Sequence, residues 1–169
     1  MGFRFTQKMV KVKGKMREYH IVEHEGAVAI IPIQDGTITL VRQTRPAVNG
    51  KLLEIPAGCL EIGEHPLACA KRELAEETGF RAKTWHNLGQ LYLAPGYSSE
   101  VLHLFLATDL SMGEQNLDDS EDIEVVHLPL REAFKMAGTG GFKDAKTVAG
   151  LFHLQTWIEN KDRLESKAQ

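Results

Sequence analysis

Three glutamates constrain this chain more than any other feature. Glu73, Glu76 and Glu77 fall within little more than one turn of the helix that their surroundings predict. At about 100° per residue, Glu73 and Glu77 lie nearly in line one turn apart, with Glu76 beside them. Like charges at that spacing weaken an isolated helix, so a fold that keeps them must supply an opposing charge. A hard divalent cation, which takes carboxylate oxygens, is the simplest supplier. The helix limits are read from the flanks. Pro66 suits the first turn, Gly79 stands where a C-cap takes left-handed backbone, and Leu67, Ala70 and Leu74 form an apolar stripe at i, i+3 and i+7. The stripe holds the helix down and the carboxylates face away from it. Arg72, inside the acidic run, can pair with Glu64 across the preceding loop, which is a structural role.

Gly58, Glu64, Arg72, Glu73, Leu74, Glu76, Glu77, Gly79 and Phe80 punctuate the run GCLEIGEHPLACAKRELAEETGF, residues 58–80. This run resembles an intact Nudix box. A merely solvated acidic face would have no need of the flanking Gly58, Glu64 and Gly79.

The rest of the chain is read as one domain, residues 1–169. At 169 residues and 43% hydrophobic it can bury one substantial core, and no Ser/Pro/Gly-rich linker or charge block divides it. The net charge of −3 offers no general attraction for nucleic acid, so substrate phosphates would have to be met locally. Cys59 and Cys69 form no CxxC pair, and no apolar leader precedes them. A reducing cytoplasm is expected, with no membrane partner. His20 and His24 share one side of a predicted strand but have no ligand partners at zinc spacing, so no zinc site is read there.

Alternation and turn signals predict strands near Lys8 to Val12 and Glu18 to Val22, with Gly14 between them. Ala27 to Ile33 and Thr37 to Arg42 follow, joined by Asp35-Gly36, a strong hairpin signal. After the acidic helix come strands at Trp85 to Leu93, Val101 to Thr108 and Glu124 to Leu128. Two further helices are predicted: Pro129 to Ala137, and Thr147 to about Asn160 with Val148, Leu151, Phe152 and Ile158 on one side. Strands flanked by a few helices without regular βαβ alternation give an α+β layered class. The resemblance implies the same, an α/β/α sandwich around a mixed sheet, preceded here by an N-terminal β-hairpin arm.

The family resemblance further implies that Glu73, Glu76 and Glu77 hold magnesium, or manganese as a substitute, together with the backbone carbonyl of Ala57. Several outer segments resemble the ADP-ribose pyrophosphatase branch: VRQTRPAV at 41–48, LEIPAG at 53–58, APGYSSE at 94–100, LDDSEDIEVV at 117–126 and FKDAKTVAGL. They imply substrate contacts at Arg42, Arg45, Glu54, Pro95 and Gly96. Of the two arginines Arg45 is preferred, since a guanidinium suits phosphate and hydroxyl recognition. Glu121 is the best match for the acidic-loop residue that serves as general base or further metal ligand. Asp119 competes for the base, and Glu76 stays open.

The activity implied is magnesium-dependent hydrolysis of ADP-ribose to AMP and ribose 5-phosphate. Alternatives are another nucleoside diphosphate sugar such as GDP-mannose, a diadenosine polyphosphate, or binding of ADP-ribose by a non-catalytic sensor. That branch usually works as a homodimer, and residues 1–22, with Phe3, Phe5, Met9, Val10 and Val12, supply a candidate dimerisation arm.

Overall fold

The computed structural model describes residues 3–113 and 122–167. Its centre is β3 (Ala27–Gln34), a run buried on both faces. Ala27, Ala29 and Ile31 enter one apolar cluster while Val28 and Ile30 enter another, so the period-two alternation of a strand serves two cores at once. β3 turns into β4 (Thr37–Arg45) through Asp35 and Gly36, whose φ of 49° and 71° match the two left-handed positions of a type I′ turn.

The two strands then part. Only Ile33↔Ile38 and Gln34↔Thr37 are paired. Beyond them β3 runs parallel to β8 (Val101–Met112) and antiparallel to the short β6 (Ala57–Cys59), and β8 pairs with β7 (Phe80–Tyr92). β4 instead pairs with β5 (Gly50–Glu54) and β9 (Ile123–Pro129). Residues 54–57 therefore cross from one half of the mixed sheet to the other, and the Pro56 carbonyl accepts from the Ile30 amide at 2.8 Å.

Helix α1 (Pro66–Thr78) covers one face through Cys69, Ala70 and Leu74, which pack with Val28, Ile30, Phe105 and Ala107. Helices α2 (Leu130–Gly138) and α3 (Ala145–Lys167) cover the other through Ala133, Leu151 and Leu154, packed with Ile31, Ile38, Leu40 and Leu104. The result is the expected α+β sandwich. Each fully buried Leu or Ile contributes roughly 1.5–3 kcal/mol through removal from water. On α3 the core takes Leu151 and Leu154, whereas Phe152, expected inward, is 53% exposed. Neighbouring helical positions differ by about 100°, and packing against the sheet selects the 151/154 stripe.

The N-terminal residues form a separate two-stranded sheet. β1 (Phe3–Val12) and β2 (Lys15–His24) pair residue for residue from Phe3↔His24 to Val12↔Lys15, and the hairpin is longer than alternation suggested. It meets the rest of the chain at Val22, which donates to the Tyr97 carbonyl (2.7 Å) and accepts from the Ser99 amide (3.0 Å). Phe5 is 82% exposed, and Phe3, Met9 and Met16 are also exposed.

Candidate active site

The acidic row on α1 is fixed at both ends of the helix. His65 caps the start, its Nδ1 accepting from the Leu67 amide at 3.2 Å, and Gly79 ends it with φ 74°. With Ala70 and Leu74 turned to the core, the carboxylates meet β6 instead of open water. Glu77 is only 3% exposed, and its Oε2 accepts from the Ala57 amide at 3.0 Å. A Cβ on Gly58 would lie 1.9 Å from the Glu73 carboxyl carbon, so only glycine leaves that carboxylate its place.

Arg72 holds more of this site than its expected pairing with Glu64. Its Nε and Nη2 donate to the two Glu64 oxygens at 3.1 and 3.0 Å, and Nη1 reaches Glu73 at 2.8 Å and Glu76 at 2.9 Å. The guanidinium also donates to the Cys59 carbonyl, tying helix to loop. The hydrogen bond from Arg72 holds the Glu64 carboxyl down to about 2 against the opposing effect of burial. Burial, aided by Glu64 and Glu73, pushes the Cys69 thiol up to about 12, which keeps it protonated.

Because the folded value of Glu64 lies below its unfolded value, the stability it contributes is full above about pH 4.5 and is lost as pH falls toward about 2. Arg72→Met should therefore move the acid-unfolding midpoint to higher pH, measured by circular dichroism. An unshifted midpoint would show that Arg72 does not carry this linkage.

A second charged cluster lies at residues 45–54 and the start of α3. Arg45 donates to both oxygens of Glu54, at 2.9 and 2.8 Å, and Lys146 ion-pairs with Glu54 and with Asp144 (3.1 Å). Burial pushes Glu54 upward, but Arg45 and Lys146 outweigh it, and the carboxyl ends below its ordinary value. Thr147 locks the corner: its hydroxyl donates to Asp144 and accepts from the Ile55 amide at 2.9 Å. The expected substrate residues Arg45 and Glu54 are thus each other's partners. Lys146, 8% exposed, is a further member of the cluster that the sequence did not mark out; the one signal was a lysine two residues after the capping Asp144.

Arg42 forms a cross-strand pair with Glu124 at 2.9 Å on the surface. Pairs that exposed contribute about 0.2–1 kcal/mol. Pro95 and Gly96 lie against the hairpin, lining a cavity of about 470 Å³ with Tyr19 and Ile21. A larger cavity of about 740 Å³ opens between the hairpin and the loop before α1, bordered by Phe3, His24, Cys59 and Glu61. There His24 Nε2 stands 3.6 Å from Cys59 Sγ, a proximity that sequence spacing hid. Asp119 and Glu121 lie outside the described residues.

Among the described residues no group of three or more His, Cys, Asp or Glu side chains is gathered to hold a metal. The donor chemistry nevertheless fits a hard cation. Glu73 and Glu76 already share a positive charge, that of Arg72, and the absent Cβ of Gly58 preserves the space in which Glu73 lies.

Residues 23–151 match the family model described as the NUDIX domain. The chain belongs to the Nudix family. It is 41% identical over 145 residues to the ADP-ribose pyrophosphatase of Bacillus subtilis (strain 168), covering 84% of this chain and 78% of the relative. The "Methanol dehydrogenase activator" of Bacillus methanolicus is 38% identical over 162 residues, covering 89% and 88%. The GDP-mannose pyrophosphatase of Escherichia coli (strain SMS-3-5 / SECEC) is 33% identical over 163 residues, covering 91% and 85%. A solved structure titled "Crystal structure of ADP compounds hydrolase" superposes with a TM-score of 0.80 at 26% identity, covering 96% of this chain and 97% of that one. The α/β/α sandwich is accordingly a Nudix fold, and the chain is a Nudix hydrolase.

Proposed function

We propose that this Nudix hydrolase cleaves the diphosphate bond of ADP-ribose, giving AMP and ribose 5-phosphate. The observation that supports it most is the 41% identity to an ADP-ribose pyrophosphatase over 84% of the chain, in a protein whose acidic helix is intact. Glu73, Glu76 and Glu77, with the Ala57 carbonyl, would hold magnesium, or manganese as a substitute. When bound, such a metal neutralises diphosphate charge and makes a water acidic enough to attack. Glu121 takes the proton from that water or adds a ligand, with Asp119 and Glu76 as the alternatives for the base. Arg45, held in place by Glu54, draws the diphosphate, and Pro95 and Gly96 border the sugar; strand alternation turns Arg42 to the other face, beside Glu124.

A panel of nucleoside diphosphate sugars and diadenosine polyphosphates, assayed with magnesium, tests this. ADP-ribose should exceed every other substrate by about ten-fold or more in kcat/KM. A flat profile would overturn the assignment. The specific second reading is GDP-mannose hydrolysis, favoured by the 33% identical relative, and it would appear as the dominant substrate in the same panel. Binding of ADP-ribose without turnover would instead make the chain a sensor.

The same reading makes the whole chain one domain that works as a cytoplasmic homodimer on a small-molecule substrate. Among the described residues no helix is long and apolar enough to cross a membrane. A two-stranded hairpin is marginal alone in water, and the exposed Phe3, Phe5, Met9 and Met16 would gain from a partner's surface. Deleting residues 1–22 should yield a monomer whose KM for ADP-ribose rises at least about ten-fold. Sedimentation of the full-length protein as a fully active monomer would exclude this role.

A further inference from the structure

Gln43 sits near the C-terminal end of β4, between Leu52 of β5 and Ile123 of β9. Its Nε2 is buried and has no hydrogen-bond partner among the described residues. Folded proteins leave few buried donors unmet, because an unmet donor loses its water and gains nothing in return. A methionine would fill this place without that penalty. The amide therefore calls for an acceptor that the described protein does not provide.

The direction of the side chain follows from strand alternation. Ile38 and Leu40 enter the core beneath α2 and α3. Thr39, between them, contacts His127, whose ring packs edge-on against Phe80 of the α1-side cluster. Continuing the period of two puts Gln43 with Thr39 and Arg45 on the α1 face. Two residues along, Arg45 carries the exposed edge of the Glu54 ion pair and lies within the field of Glu77. An unmet neutral donor thus stands next to a guanidinium, on the face that carries the acidic helix. Leu52 and Ile123 have no acceptor side chains, and the Arg45 side chain only donates. A ligand rich in anionic oxygen suits both groups.

We propose that Gln43 is a substrate-binding residue whose Nε2 donates to a non-bridging oxygen of the diphosphate. This rests on the reading of the site as one for nucleoside diphosphate sugars and adds a neutral donor beside Arg45. The donor is already stripped of water in the folded protein, so its bond to substrate is not offset by a fresh desolvation cost.

Gln43→Met and Gln43→Glu, each compared with wild type in thermal melts and steady-state kinetics, test the proposal. With Gln43→Met, Tm should stay level or rise, since the unmet donor is gone, while KM rises about ten-fold or more, as for loss of a hydrogen bond to a charged group. Gln43→Glu keeps the shape but repels the diphosphate, and its KM should rise further still. A structural role would move the opposite quantity: Tm would fall and the KM of the folded fraction would stay put, which overturns the proposal. Unchanged KM in both variants overturns it whatever happens to Tm. Kinetics use whichever nucleotide sugar the wild type cleaves fastest. Preference for GDP-mannose would end the ADP-ribose reading while the Gln43 comparison proceeds on that substrate, and a wild type inert toward the whole panel would end both.

Discussion

Glu73→Gln is expected to lower kcat by about two powers of ten or more while Tm stays level or rises. The substitution keeps the shape beside Gly58 and removes one negative charge from the face where a cation would be held. Arg72 still has Glu64 and Glu76 to pair with, so the helix loses no anchor. In the metal-free protein one like charge has gone from a crowded row, which favours the helix. Glu77→Gln should follow the same direction, since an amide oxygen there can still accept from the Ala57 amide. Gly58→Ala supplies an independent check. All three glutamates remain, yet the new Cβ would fall 1.9 Å from the Glu73 carboxyl carbon and must displace it, so kcat should fall by the same route. Kinetics with magnesium and melting curves with and without it measure both effects. Loss of folding, with unchanged specific activity in the folded fraction, would mean that the acidic row is only structural.

The elements readable from the sequence are those decided by local chemistry. Asp35-Gly36 dictates its turn, and Pro66, Gly79 and the 67/70/74 stripe dictate α1 almost to the residue. The box glutamates stood out for the same reason: their spacing is local, and like charges set that close call for an opposing charge. What escaped was set by distant partners. Glu77 reads as an outward-facing metal ligand, and its hydrogen bond from the Ala57 amide appears only once β6 is in place. Arg72 reads as the partner of Glu64, and its hold on Glu73 and Glu76 appears only with the rotamers of a folded helix. β5 is five residues long and starts with glycine, which gave too little alternation to recognise a strand; its pairing with β4 supplies what its sequence does not. Lys146 is the extreme case. It stands 92 positions from Glu54, and a lysine in the first turn of a helix reads as solvated charge until α3 docks beside β5.

That buried lysine carries the other large effect. Lys146→Met should destabilise the fold by about 3 kcal/mol, because removing one partner of a buried ion pair leaves charge uncompensated. For a chain of this size the loss corresponds to a fall in Tm of roughly 6–12 °C. Glu54 is 1% exposed and would retain only Arg45, whose side chain is 40% exposed. Asp144 would lose its Lys146 contact at 3.1 Å but keep the Thr147 amide and hydroxyl. The effect has a sign in pH. Glu54 is held below its ordinary value in the folded protein, so its stabilisation is full above the unfolded carboxylate value and fades as pH falls through the folded one. Lys146 is part of what depresses it, so the gap in Tm between wild type and variant should be widest near pH 7 and should narrow below about pH 4, where carboxylates take up protons. Adding Glu54→Gln to Lys146→Met should cost less than the sum of the two single changes, since the double variant no longer leaves an unpaired carboxylate. An equal Tm gap at both pH values, with strictly additive losses, would show that Lys146 contributes packing alone. With Glu54 left to Arg45 by itself, the guanidinium is drawn more tightly to its partner. KM should rise in Lys146→Met even where the protein remains fully folded.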